Sequence, residues 1–331
     1  MKTASVKGPS IISVDETEKP VLNSGDILVQ MHACGICGSD LEKVFGQYGQ
    51  PSMRLGHEPA GIIVDVASDV VDFKKGDRVF THHHVSCYDC HFCNHGNETM
   101  CKKYSETNLS PCGLSEEYVV PAWNVSHGGV LKISDSLSFE EAAMIEPLAC
   151  CVRAWKKCAY REGDSTAIFG VGPTGMMHVM LAQAKKFSKI FCFDVNDFRL
   201  DFAKKFNITE SINSMDENRK QKILDKTDEL GVDVAIVATS SLKALEDAID
   251  GTPNIITVPP FLTRSIASSS AFILLVATIA TSTPLPSVCS EIFCFLHSSI
   301  ELMDSVTLNF FAKSKRKSLT SKQMIFENFC A

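Results

Sequence analysis

The sequence predicts an α/β protein of two domains, a β-rich, barrel-like unit followed by a doubly wound parallel sheet. Residues 1 to about 120 alternate short apolar runs with Gly, Pro and Asp turn signals. From Ser165 onward, β-branched or aromatic runs alternate with helical patterns at the spacing of βαβ units. A chain of 331 residues also has room for two ordinary cores. The expected divisions are residues 1–152, 153–251 and 252–331.

In the first unit, DILVQMHA, AGIIVDVA and DRVFTHHHV read as strands, with SGD and KKGD as turn signals. In the second, STAIFGVG leads into PTGMMHVMLAQAKKF, KIFCFDV into DFRLDFAKKF, and VDVAIVAT into SLKALEDAID. Each of these pairs is a strand followed by a helix. No internal repeat at solenoid periods interrupts the pattern.

Composition narrows the functional classes. A hydrophobic share of 45% with 21% charged residues is that of a globular chain. The net charge of −7 lacks the basic face that a nucleic-acid or anionic-membrane binder requires. The opening stretch MKTASVKGPSIISVDETEKP has no apolar core of the signal-peptide kind. Fourteen cysteines without such a signal point to thiols in a reducing compartment, so a cytoplasmic location is expected.

Four of those cysteines cluster in CYDCHFCNHGNETMC. Cys87, Cys90, Cys93 and Cys101 are separated by two, two and seven residues. Four thiolates on so short a loop can surround one ion tetrahedrally, and zinc is the usual occupant of an all-sulfur cage. Such a cage has no open position, so it staples a lobe and performs no chemistry. An iron–sulfur cluster or coincidence is the competing reading. His82, His83, His84, His91 and His95 crowd the same region and read as solvated loop side chains rather than ligands.

A second donor set is scattered. HACGICGSD supplies Cys37, RLGHEPAG supplies His57 and Glu58, and AAMIEPLAC supplies Glu146. Mixed sulfur, nitrogen and oxygen ligands with one exchangeable position are how a catalytic zinc is held. An open position lets the ion bind an alcohol oxygen and lower its pKa toward neutrality, and Ser39 could accept that proton. Singly, each residue has a plainer reading: a buried thiol at Cys37, a core histidine at His57, a helix N-terminal charge at Glu146.

IFGVGPTG follows a strand and opens a helix, and it carries Gly170, Gly172 and Gly175 as G-x-G-x-x-G. The glycines permit the tight turn, the approach to a pyrophosphate and close helix–strand packing, in that order. The pyrophosphate then sits on free N–H groups at the helix N-terminus. The next strand ends at Asp194, 24 residues beyond Gly170, where a carboxylate accepts ribose hydroxyls and repels a 2′-phosphate. NAD is expected over NADP, and Arg199 nearby weakens that preference.

The ordered set GICGSD, GHE, the four-cysteine loop, EPLAC, GVGPTG and DVNDFRL resembles the zinc-dependent medium-chain alcohol dehydrogenases. It looks closest to the branch that includes sorbitol, threonine and sugar dehydrogenases, from about residue 5 to 250. The resemblance implies a GroES-like catalytic domain with two zincs and a Rossmann domain for the nicotinamide cofactor. It implies catalytic ligands at Cys37, His57 and Glu58, with Glu146 where alcohol dehydrogenases proper use cysteine. A carboxylate there leans toward polyols, sugars or hydroxy amino acids as substrates. Glu42 replaces a proton-relay histidine of many members, so the relay ends at Ser39 or uses Glu42. A homo-oligomer is also implied, although its pairing edge falls in the part of the chain discussed next.

After ALEDAID the resemblance stops. All 19 glycines lie at or before Gly251, and the last 80 residues contain none. At ordinary usage such a folded segment carries roughly five. SIASSSAFILLVATIATSTPLPSVCS, residues 265–290, has no charge, but its longest apolar stretch falls well short of the ~20 residues of a membrane span. A divergent domain ending or an out-of-frame translation beginning near Gly251 are the other readings, and the composition favours the latter. The expected activity is hydride transfer from a secondary alcohol to NAD(P). The rival is a zinc-binding protein without turnover, because the cradle for the nicotinamide is not visible in the sequence.

Overall fold

The computed structural model describes residues 1–45, 54–158 and 160–250. The chain opens with a hairpin of β1 (Lys2–Gly8) and β2 (Ile11–Glu16). β3 (Ile27–Gly35), helix α1 (Gly38–Phe45), β4 (Glu58–Val66) and β5 (Arg78–Thr81) follow. A lobe of short helices comes next: α2 (His91–Asn94), a 3₁₀ turn (Glu98–Met100) and α3 (Lys102–Glu106). Then come β6 (Glu117–Val120), α4 (Ala122–Ser126), β7 (Val130–Lys132) and α5 (Phe139–Ala143).

These strands form an antiparallel sheet in the order β6-β3-β4-β5-β7. Alternation sends Ile27, Val29, Ile63, Val79, Tyr118 and Val120 into one core. Within it Thr81 Oγ1 and Tyr118 hydroxyl share a hydrogen bond of 2.9 Å, so the buried phenol is satisfied. α5 starts on a capping box in which Ser138 and Glu141 exchange side-chain and backbone hydrogen bonds.

α6 (Ile145–Lys157) is continuous through position 152, where the sequence suggested a domain boundary. Beyond it lie β8 (Ser165–Phe169), α7 (Pro173–Ala184), β9 (Lys189–Asp194), α8 (Asp197–Ala203), β10 (Glu210–Asn213), α9 (Arg219–Leu224), β11 (Val234–Val237) and α10 (Leu242–Asp250). The four strands are parallel in the order β10-β9-β8-β11. β8 and β11 are buried at every residue, and β8, flanked by β9 and β11, is covered by α7 and α10. Phe169 stacks on Phe193 with centroids 4.5 Å apart, which locks β8 to β9. The chain moves outward from β8 through β9 to β10 and then returns to the other side of β8. The carboxyl ends of β8 and β11 therefore flank the switch point, where ligands of such sheets bind.

Each strand and helix expected within residues 26–250 has a counterpart, and β6, β7, β10, α9 and the helices before β8 are present besides. No helix of the described residues is long and apolar enough to cross a membrane. The expectations for residues 252–331 lie outside the described residues.

Candidate active site

The short-helix lobe gathers Cys87, Cys90, Cys93 and Cys101 so that all four sulfurs lie within 4.8 Å of one another. Cys90 and Cys93 sulfurs are 3.6 Å apart, Cys87 and Cys101 3.5 Å, and Cys87 and Cys93 4.0 Å. Sulfurs at ~2.3 Å from a central zinc stand ~3.8 Å apart at tetrahedral corners, so this set fits that ion. Burial raises the Cys101 thiol, but N–H groups of Cys87, Tyr104 and Lys103 outweigh it and bring the pKa down to about 6. Burial and the neighbouring cysteines push Cys93 up to about 12. The Cys101 thiolate forms readily, while Cys93 awaits the charge of an ion.

The second donor set assembles where α1 meets the start of β4. Ligand atoms of Cys37, His57 and Glu58 lie within 4.8 Å of one another, and both His57 and Glu58 are buried. One sulfur, one nitrogen and one oxygen converging, with no fourth donor in the set among the described residues, suit a zinc that keeps an open position. Nε2 of His57 faces Glu58 Oε1 at 3.9 Å, while Nδ1 faces Asp40 Oδ1 at 3.4 Å.

Asp40 is the residue that sequence reading missed. It is 2% exposed and sits two residues into α1. Its Oδ2 accepts from Cys37 N–H at 3.2 Å and its Oδ1 from Gly56 N–H at 3.1 Å. One carboxylate thereby ties together the backbone at Cys37 and beside His57, two of the three candidate donors. Burial opposes its ionisation, but His57, Lys43 and Gly56 N–H prevail and hold its pKa below the ordinary value. Burial also opposes the charge on His57, yet Asp40, Cys37 and Glu146 raise it to about 10. Burial and the Glu146 charge push Glu58 up to about 7. The signal available in the sequence was only the D of GICGSD.

The other expected residues are placed around this set. Glu146 stands outside the three-donor cluster, in the first turn of α6, its Oε1 3.6 Å from Cys150 sulfur. Burial raises its pKa. Ser39 lies in the first turn of α1, two residues from Cys37, and Glu42 is buried one turn later. The histidine run differs from expectation. Nδ1 of His82 and of His83 is buried without a hydrogen-bond partner, and the His83 ring centroid lies 5.1 Å from that of His57. Burial keeps both neutral. Asn124 Nδ2 donates to the carbonyls of His82 and His83, which pins the run inward. His91 and His95 are exposed, as expected.

At the switch point the three glycines behave differently. Gly170 has φ +88°, and a Cβ there would meet the Ala238 carbonyl oxygen at 2.8 Å. A Cβ on Gly175 would come within 1.8 Å of the Gly170 carbonyl oxygen, so this glycine lets α7 close on β8. Gly172 has nothing within 4 Å of its Cβ position and is the N-cap of α7, which has Pro173 in its first turn. The open space over a helix N-terminus fits a pyrophosphate. Asp194 is 6% exposed; its Oδ2 accepts from Val171 N–H at 2.9 Å and its Oδ1 from Asn196 N–H at 3.0 Å. The carboxylate therefore also fixes the glycine loop. Arg199 Nη1 stands 3.9 Å from its Oδ2.

Known proteins share this arrangement. Residues 23–135 match the family profile of the alcohol dehydrogenase GroES-like domain, and residues 173–253 that of the zinc-binding dehydrogenases. Sorbitol dehydrogenase of Bacillus subtilis is 33% identical over 255 residues, covering 75% of this chain and 71% of that protein. A zinc-dependent alcohol dehydrogenase from Streptococcus pneumonia is similar in structure, with a TM-score of 0.66 and 29% identity over 76% of this chain and 73% of its own. An alcohol dehydrogenase from E. coli CFT073, solved with NADH, has a TM-score of 0.68 and 27% identity over 77% of this chain and 74% of its own. With its two donor sets and its glycine loop at the switch point, the chain belongs to the zinc-dependent medium-chain dehydrogenases, oxidoreductases that use a nicotinamide cofactor.

Proposed function

We propose that this dehydrogenase oxidises a secondary alcohol of the polyol, sugar or hydroxy amino acid class and prefers NAD. The observation that carries the reading is the convergence of Cys37, His57 and Glu58 on one point. When bound, zinc would supply a Lewis acid that lowers the pKa of the substrate hydroxyl, and the nicotinamide would supply a hydride acceptor.

The residues of the chain do the rest. Cys37, His57 and Glu58 hold the catalytic ion, and Glu146 adds a carboxylate at its border. Asp40 keeps Nε2 of His57 turned toward the ion by facing Nδ1. Ser39 takes the hydroxyl proton and passes it toward solvent, with Glu42 one helical turn away. Gly170, Gly172 and Gly175 open the helix terminus to the pyrophosphate, and Asp194 receives the adenosine ribose hydroxyls. A buried carboxylate at that point repels a 2′-phosphate, which sets the preference for NAD; Arg199 tempers it. A second, structural zinc belongs to Cys87, Cys90, Cys93 and Cys101. The partner is a small alcohol in the cytoplasm; neither nucleic acid nor membrane is involved.

The test is NAD reduction by the purified, zinc-analysed chain with a panel of polyols, sugars and threonine. Turnover on one class, with NADP slower, is the expected result. Bound zinc with no turnover on any of them overturns the proposal.

A further inference from the structure

Helix α6, IEPLACCVRAWKK, carries two stripes. Ile145, Leu148, Val152 and Trp155 are buried and anchor it to the protein interior. Glu146, Cys150, Arg153 and Lys157 recur at intervals of four, three and four residues and so share another face. The two ends of that second stripe meet different metal sites.

α6 packs against β4, whose first residue is Glu58, and Glu146 lies in the first turn of α6, outside the tight Cys37–His57–Glu58 set. Its charge acts on both His57 and Glu58. At the last two turns, the contacts are with the four-cysteine loop. Arg153 Nη1 donates to Glu98 Oε2 at 2.8 Å and Nη2 to the Gly96 carbonyl at 3.3 Å. Lys157 Nζ donates to the same Gly96 carbonyl at 3.1 Å. Gly96 and Glu98 lie between Cys93 and Cys101. The Glu98 carbonyl also accepts from Ser86 Oγ at 2.8 Å and Cys101 N–H at 3.0 Å, so Glu98 is wound into the loop that positions the sulfurs.

We propose that α6 is a strut joining the two metal sites: the four-cysteine loop grips Arg153 and Lys157 and thereby sets where Glu146 stands at the Cys37–His57–Glu58 site. Arg153 is a positioning residue, acting through the helix and touching neither ion. A helix rises ~1.5 Å per residue, so Arg153 and Glu146 are separated by about two turns of rigid backbone. A charge-assisted pair at one end fixes the other end. Glu98 and Arg153 therefore make the loop more than a staple: its closure around an ion becomes a condition for the carboxylate border of the catalytic site. The inference rests on the reading that Glu146 belongs to the surroundings of that site.

The test uses the full chain with zinc in the four-cysteine loop and cobalt exchanged into the catalytic site. The visible cobalt spectrum and the cobalt dissociation constant are measured for the unmodified protein, Arg153→Met, Glu98→Gln, Glu146→Gln and the R153M/E146Q double variant. The expected result is a changed spectrum and roughly tenfold weaker cobalt binding in R153M and E146Q, the scale of losing an outer-shell partner. The double variant should be no weaker than E146Q alone, because Arg153 acts through Glu146. If E146Q leaves spectrum and affinity untouched, the reading of Glu146 itself falls. If E146Q has its effect but R153M and E98Q have none, or R153M adds fully to E146Q, the coupling alone is overturned. Should R153M lose zinc from the loop or fail to fold, E98Q carries the test, because it keeps both bonds to Gly96.

Discussion

Asp40 Oδ1 stands 3.4 Å from His57 Nδ1, on the side of the imidazole away from Glu58. A ligating histidine whose second nitrogen faces a carboxylate has its ring orientation fixed before the metal arrives. Asp40→Asn keeps the shape but removes the charge that raises His57 and holds Gly56 N–H and Cys37 N–H. The variant is expected to bind the catalytic metal on the order of 10–100-fold more weakly while retaining zinc in the four-cysteine loop. Competition with a chromogenic chelator reads both sites separately. Unchanged affinity in D40N would remove Asp40 from the metal's support.

Gly175 and Gly172 make a matched pair of substitutions with opposite consequences. In Gly175→Ala the new methyl carbon must occupy a point 1.8 Å from the Gly170 carbonyl oxygen, so α7 has to back away from β8. A loss of about 1–3 kcal/mol in stability is expected, as for an overpacked core. Gly172→Ala meets nothing within 4 Å, and its φ of −65° suits any residue. Its stability should change by no more than ~0.5 kcal/mol, yet NADH should bind more weakly, because the methyl fills the space over the helix terminus. Calorimetry with NADH fluorescence titration separates the two effects. Equal NADH affinity in G172A and the unmodified chain contradicts a pyrophosphate at that point.

Much of this architecture is readable in the sequence because short motifs encode their own geometry. Four cysteines within one loop, or a glycine triplet between strand and helix, need no distant partner to be recognised. Asp40 is invisible for the opposite reason. Its meaning comes from β4 folding back beside α1, which brings His57 to it across the chain. His82 and His83 were expected in solvent, but Asn124, some forty residues on, pins their backbone inward. α6 runs unbroken through residue 152 because IEPLACCVRAWKK has one amphipathic pattern. β10 reads ESIN, polar at three of its four positions, so no apolar run marks it in the sequence. Glu146 matches its family position, yet it lies outside the tight three-donor set, a distance no spacing could have told.

The four-cysteine loop should hold its lobe through the ion rather than through apolar packing. Among its sulfur bearers only Cys93 and Cys101 are buried, while Tyr88, Phe92 and Met100 are exposed around them. Cys101→Ser removes a thiol whose pKa is brought down to about 6. It is expected to lose that zinc and to lower Tm by on the order of 10 °C, the signature of a folding metal. Zinc quantitation and calorimetry on the same samples check it. Full zinc content with an unchanged Tm would mean that the loop does not close around an ion.

His178 supplies a pH test that is independent of either metal. It is 3% exposed on α7, its Nδ1 lacks a hydrogen-bond partner, and its ring lies 6.1 Å from that of Trp155. Burial lowers its pKa from 6.5 to about 4. Between those values the unfolded chain binds a proton that the folded chain refuses, so stability rises with pH across this window. The contribution is fully present above pH 6.5 and is lost as pH falls toward 4. Its full size is about 3 kcal/mol by linkage. His178→Leu cannot take up the proton in either state. Its stability should therefore fall less steeply than that of the unmodified chain between pH 6.5 and 4, whatever the packing change does to the absolute value. Denaturant melts at several pH values give the two slopes. Parallel slopes would show that His178 is not held neutral by its burial.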